Sequence, residues 1–204
     1  MQHVHRSSRR NPIKLITITI AAIVLGLGAC GSTTLEQTWT SAAARQQALL
    51  QNVVTMFFSE NETVRRAGED QLARDLSKKG VRATPSYAIV QGEGLKDLDD
   101  AMKSKLASLG YDGVVAVRVV EKYQELDYMP GMYDSYWWGY PGYYSSGGYY
   151  TETVVRVETK AYSLRTGEVL WLGLTRTVAD DAGTVIGDTS KIVAEQLTHN
   201  GIGV

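Results

Sequence analysis

The sequence predicts a single mixed domain of α+β or α/β class, with a five-stranded sheet, about three helices and the order β-α-β-α-β-β-β-α. Three observations carry this reading. Apolar runs rich in β-branched residues alternate with stretches whose apolar residues recur every three or four positions. Two such helical stretches lie between early strands, which favours parallel pairing there, while a short glycine turn near the end forces antiparallel pairing. A chain of 204 residues, 44% hydrophobic, also suffices for one core and is not a wholly disordered polymer.

The first segment stands apart from that domain. Residues 1 to 14 hold Arg6, Arg9, Arg10 and Lys14 with no acid, and Leu15 to Ala29 hold no charge at all. Such a basic and then apolar layout is that of an export signal. The apolar stretch of 15 residues falls short of the roughly 20 that a spanning helix needs, which disfavours a permanent span. It ends in Leu27-Gly28-Ala29-Cys30, and Cys30 is the single cysteine of the chain. These four residues resemble the lipobox of bacterial lipoproteins. The resemblance implies a diacylglyceryl group on the Cys30 thiol, cleavage after Ala29 and an acyl chain on the new amino terminus. Gly31 in place of an aspartate implies sorting to the outer membrane, with the domain facing the periplasm. Removing residues 1–29 takes four of the 21 basic residues and none of the 22 acids, leaving 17 against 22 and a side-chain charge of −5.

Residues 30–51 are small and polar with scattered apolar side chains, which reads as the lipidated cysteine and a tether. The domain is then expected over 52–204. Asn52 to Phe58 is a buried strand by its β-branched and aromatic content. Ser59 with Glu62 forms a capping box, so a helix is expected from there, with Val64, Gly68, Leu72 and Leu76 on one face and Gly80 as its stop. Val81 to Val90 is a second strand, and Pro85 places it at an edge or a bulge. Leu95, Leu98, Met102, Leu106 and Leu109 mark an amphipathic helix. Its early acids Asp97, Asp99 and Asp100 and later Lys103 and Lys105 complement the helix dipole. Gly113 to Tyr123 is the most β-branched run and is placed centrally in the sheet. Thr151 to Tyr162 alternates between apolar and charged residues, as a strand with one covered face does. Leu164 to Gly167 is the turn, and Val169 to Thr177 the returning strand. A last helix is expected from Asp188 as cap to Gly201.

Several stretches resemble a widespread group of uncharacterised bacterial lipoproteins with a domain of unknown function. They are Arg65-Arg66, Glu69-Asp70, Gly80-Val81-Arg82-Ala83-Thr84-Pro85-Ser86-Tyr87, Tyr111 to Val115 and Thr166 to Trp171. The element order also resembles the small α/β domain of the Tol-system periplasmic protein and that of the curli secretion lipoprotein. A shared fold does not transfer function, and that group supplies no catalytic residues to carry over.

Elements of known chemistry are sparse. Removal of the signal leaves His199 as the remaining histidine, and Cys30 is consumed by lipid, so nucleophile–histidine schemes lack parts. Neither a G-x-S-x-G elbow nor an H-E-x-x-H or a Walker loop is present. The acid pairs Glu69–Asp70, Asp99–Asp100 and Asp180–Asp181 are better explained by helix electrostatics and loop polarity than as catalytic couples. A non-enzyme without metal or cofactor is therefore expected, apart from the covalent acyl chains on Cys30. Near-neutral charge argues against nucleic acid. One segment exceeds the needs of a plain domain. Nine of the 12 tyrosines and two of the four tryptophans fall between Tyr123 and Tyr150. The expected loop at about 124–150 contains Tyr133, Tyr136, Trp137, Trp138, Tyr140, Tyr143, Tyr144, Tyr149 and Tyr150. Either it is a mobile low-complexity connection or it is a docking surface, for which an envelope protein or a second copy ranks above a glycan or the membrane. The leading expectation is an outer-membrane lipoprotein with a binding or assembly domain. The alternative is an envelope glycan- or lipid-acting hydrolase or transferase that uses the aromatic loop as a platform.

Overall fold

The computed structural model describes residues 32–45, 50–90, 98–129 and 148–203. Six strands form one sheet: β1 (Ser32–Thr40), β2 (Asn52–Phe58), β3 (Arg82–Pro85), β4 (Gly113–Met129), β5 (Gly148–Ser163) and β6 (Val169–Val178). Their order across the sheet is β1-β6-β5-β4-β2-β3. The helices are α1 (Glu62–Lys78), α2 (Asp100–Ser108) and α3 (Ala182–His199). As the helical crossovers require, β2 runs parallel to β3 and to β4, whereas β4, β5, β6 and β1 alternate in direction.

The sixth strand corrects the expected five, and it comes from the segment expected as a tether. β1 carries four threonines and Trp39 in nine residues, a composition that suits an extended chain. Its alternation is hidden in sequence because the register shifts between Leu35 and Gln37. Threonine hydroxyls fasten it from the helix side. Thr33 Oγ1 lies 3.0 Å from Thr177 Oγ1 and 2.9 Å from Asp188 Oδ2, and Thr40 Oγ1 lies 3.1 Å from Asn200 Oδ1.

Helices α1 and α3 cover one face of the sheet. There Val53, Phe57, Leu72, Leu76, Val115, Val117, Val157, Trp171, Val193 and Leu197 form the main core. On the other face α2 covers only part of the sheet, where Leu106 packs with Val54, Met56, Val114 and Ala116. The rest of that face, over β5, β6 and β1, is half-exposed, and Trp39 stands out on it at 53% exposure.

Local chemistry moves several boundaries. The cap of α1 is Asn61, whose side chain accepts from Val64 N–H, while Ser59 Oγ accepts from Asn61 N–H one turn earlier. Gly80 ends that helix at φ 91°, as expected. The strand expected over Val81 to Val90 stops at Pro85 and turns into a 3-10 helix, Ser86–Ala88, and β3 is an edge strand. Leu109, expected on the buried face of α2, is 54% exposed because the helix ends at Ser108. Leu95 and Asp97 lie outside the described residues. Helix α3 starts at Ala182, capped by Asp181, and not at Asp188. Gly183 and Gly187 concealed that first turn in sequence. Burial of Val185 and Ile186 against the sheet offsets the helix penalty of glycine there.

Candidate functional surface

Beyond Arg118, β4 no longer has β2 beside it, and before Val154, β5 no longer has β6 beside it. From Gln124 to Met129 and from Gly148 to Thr153 the two strands continue as a two-stranded ribbon past the end of the sheet. The expected loop at 124–150 is thus shorter than the sequence suggested, because both its ends are strand. Tyr149 and Tyr150 belong to β5. Tyr133, Tyr136, Trp137, Trp138, Tyr140, Tyr143 and Tyr144 lie outside the described residues, as do Leu27, Gly28, Ala29 and Cys30.

Strand alternation gives the ribbon two different faces. One continues the helix-covered side of the sheet and pairs Gln124 with Thr153, Leu126 with Thr151 and Tyr128 with Tyr149. It carries no charge. Leu126, Tyr128 and Tyr149 are 67%, 53% and 72% exposed, and the two tyrosine rings meet at 5.2 Å between centroids. The opposite face carries Glu121, Glu125, Asp127 and Glu152. Arg156 bridges Glu121 at 2.7 Å and Glu36 at 2.9 Å, and Arg176 pairs with Glu125. These carboxylates hold the Arg156 guanidinium well above its ordinary pKa. The Tyr150 phenol donates to Asp127 and is held above its ordinary value, chiefly by lost hydration and then by Asp127 and Glu152.

A cleft of about 270 Å³ opens where the uncharged face joins the domain. Val119, Lys122 and Val155 line it from the sheet, Phe58, Ser59 and Val64 from the entry to α1, and Asp180, Asp181, Val185 and Ile186 from the entry to α3. The sheet side supplies no carboxylate. Asp181 is engaged as a cap, accepting from Thr184 N–H at 2.8 Å and Thr184 Oγ1 at 2.7 Å. Those bonds hold its carboxyl below the ordinary value of 3.8. The stabilisation is therefore complete above about pH 4 and is lost as pH falls through the lowered value. Thermal melts should show Asp181→Ala less stable than the parent at pH 7, with the gap closing in acid, while Asp181→Asn keeps most of the cap at both pH values.

The other acid pairs are structural. Asp99 caps α2 by accepting from Met102 N–H, and Asp100 pairs with Lys103. Glu69 and Asp70 both grip the chain after β3, which sequence reasoning missed because neighbouring helical residues point apart. Here they point to two sides of one residue. Glu69 accepts from Tyr87 N–H at 3.1 Å and from Ser86 Oγ at 2.8 Å, and Asp70 accepts the Tyr87 hydroxyl at 2.7 Å. The bond to Asp70 raises the Tyr87 phenol pKa, and the Arg66 guanidinium stacks on that ring at 5.1 Å. The signal in sequence was Ser86-Tyr87 directly after Pro85, two donors at a forced strand end. Among the described residues, no group of three or more His, Cys, Asp or Glu stands ready to hold a metal ion, and no helix is long and apolar enough to cross a membrane.

No protein-family model and no curated protein matches the chain. Several solved structures resemble it. The PelC dodecamer from Paraburkholderia phytofirmans is 17% identical, with 84% of this chain and 97% of that chain covered and a TM-score of 0.44. Lipoprotein GNA1162 from Neisseria meningitidis is 14% identical over 73% of this chain and 99% of that one, with a TM-score of 0.42. TolB from Acinetobacter baumannii is 12% identical over 83% of this chain and 31% of that one, with a TM-score of 0.38.

Proposed function

We propose that the chain is a lipid-anchored protein of the outer membrane whose periplasmic domain is a non-enzymatic binding or assembly module. Diacylglyceryl and N-acyl chains on Cys30 hold it, and an envelope protein or a second copy of the chain is its partner. The observation that carries this reading is the largely apolar cleft of about 270 Å³ between the sheet and the entries to α1 and α3. Such a surface gains free energy by burying apolar groups of a partner, and large exposed apolar patches on soluble domains mark interaction sites. Hydrolysis of a glycan would instead ask for two carboxylates about 5 to 10 Å apart across a pocket. In the cleft both carboxylates, Asp180 and Asp181, come from one turn, and Asp181 is committed to capping.

Val119 is 41% exposed, so Val119→Lys puts a charge into the cleft without emptying the core. Crosslinking from native membranes should lose the bands that the parent protein captures, while the melting temperature stays within a few degrees. Identical bands from both proteins would defeat the cleft as the binding surface.

A further inference from the structure

The first strand begins at the end of the sheet from which the ribbon projects. β1 starts at Ser32 opposite Val178, which in turn lies opposite Val154, and β1 runs in the same direction as β5. β1 therefore begins at the end of the sheet from which β5, traced back from Val154 towards Gly148, projects. Gly31 alone separates Ser32 from Cys30, so over two residue steps Cys30 reaches at most about 7 Å beyond that row. The ribbon, six residues of β5 beyond Val154, reaches about 20 Å. It extends roughly 13 Å past the farthest point that Cys30 can reach, so a membrane holding the anchor meets the ribbon, which lies aslant along its surface, before the body of the domain.

We infer that the ribbon end of the domain rests on the membrane that carries the anchor, with the uncharged face of Leu126, Tyr128 and Tyr149 set in the lipid headgroup zone. This rests on acylation of Cys30 as proposed above. With two residue steps between Cys30 and Ser32, an acylated Cys30 holds the domain close to the bilayer at the end from which the ribbon projects. Tyrosine suits that depth, since its ring is apolar and its hydroxyl stays hydrated. The ribbon goes no deeper, because its outer edges carry backbone groups that hydrocarbon would leave unpaired. Glu60, Glu62, Asp180 and Asp181 stand at the same end of the domain. With the carboxylates of the ribbon's charged face, they fit a zwitterionic surface better than an anionic one.

The test uses the full-length acylated protein in phosphatidylethanolamine–phosphatidylcholine vesicles containing a doxyl-labelled lipid. An environment-sensitive fluorophore is placed by Tyr149→Cys on the ribbon or by Arg165→Cys in the turn at the opposite end. Acylated Cys30 has no free thiol, so labelling is confined to the introduced site. The expected result is a blue shift and several-fold stronger lipid quenching at 149 than at 165. Leu126→Cys, 67% exposed in the parent residue, repeats the measurement should the first variant fold poorly. Equal quenching at both ends overturns the inference while leaving the anchor intact. A blue shift at 149 without lipid quenching also overturns it, and assigns the face to a protein neighbour. Intact mass of the same preparation reads the acyl chains directly, and their absence overturns the anchor and the inference together.

Discussion

Cys30→Ala is expected to abolish acyl labelling and to move the protein from the membrane pellet to the soluble fraction. One acyl chain gives only marginal attachment, with an association constant on the order of 10⁴ M⁻¹, whereas two or more hold firmly. Loss of the thiol removes the site on which the diacylglyceryl group is built, and with it the processing that exposes the amino terminus for the further chain. Residue 30 lies outside the described residues, whose first strand begins at Ser32. Thermal melts of the mature domain should therefore coincide with those of the parent, separating loss of anchoring from loss of folding. Metabolic labelling with a radioactive fatty acid checks the acyl chains, and ultracentrifugal fractionation checks the partition. Unchanged labelling would remove the lipoprotein reading.

Glu69→Ala carries the largest expected effect on stability. The Glu69 side chain is 1% exposed and serves four groups that are themselves buried or half-buried. Its removal takes this acceptor from the Ser86 hydroxyl and the Tyr87 and Phe57 N–H groups, and leaves the Arg65 guanidinium, 8% exposed, with the exposed Glu62 at 3.8 Å in place of the buried Glu69 at 3.5 Å. Leaving one partner of a buried pair uncompensated costs about 3 kcal/mol or more, which for a domain of this size lowers Tm by roughly 6–12 °C. Glu69→Gln retains an acceptor for Ser86 or Tyr87 and should cost less. Calorimetry or circular dichroism melts decide it, and a Tm within experimental error of the parent would show that the network does not hold α1 to the chain after β3.

Most of the local architecture was legible in the chain. The β-branched run from Gly113 and the alternation from Thr151 identify β4 and β5, because sheet burial demands those patterns wherever the strands are placed. Gly80, Gly110 and Gly167 mark stops and a turn, since each adopts positive φ (91°, 85° and 74°), which costs any other residue. Pro85 places β3 at an edge, because it has no N–H for a second neighbour.

Other features depend on partners far along the chain. Ser32–Thr40 is a polar stretch that becomes a strand because the edge of β6 and the acceptors Asp188 and Asn200 await it. The first turn of α3, weak by propensity, forms because Val185 and Ile186 bury against the sheet. Glu69 is inconspicuous on its helix until Ser86 and Tyr87 are brought over it. Composition alone showed that nine of the 12 tyrosines gather in one stretch. Only the tertiary structure showed that the strands flanking this stretch pair as a ribbon with one uncharged face, at the end of the sheet where β1 begins. The physical reason is that residue patterns record which local conformation lowers the free energy. Direction and proximity are set by strand pairing across more than a hundred residues.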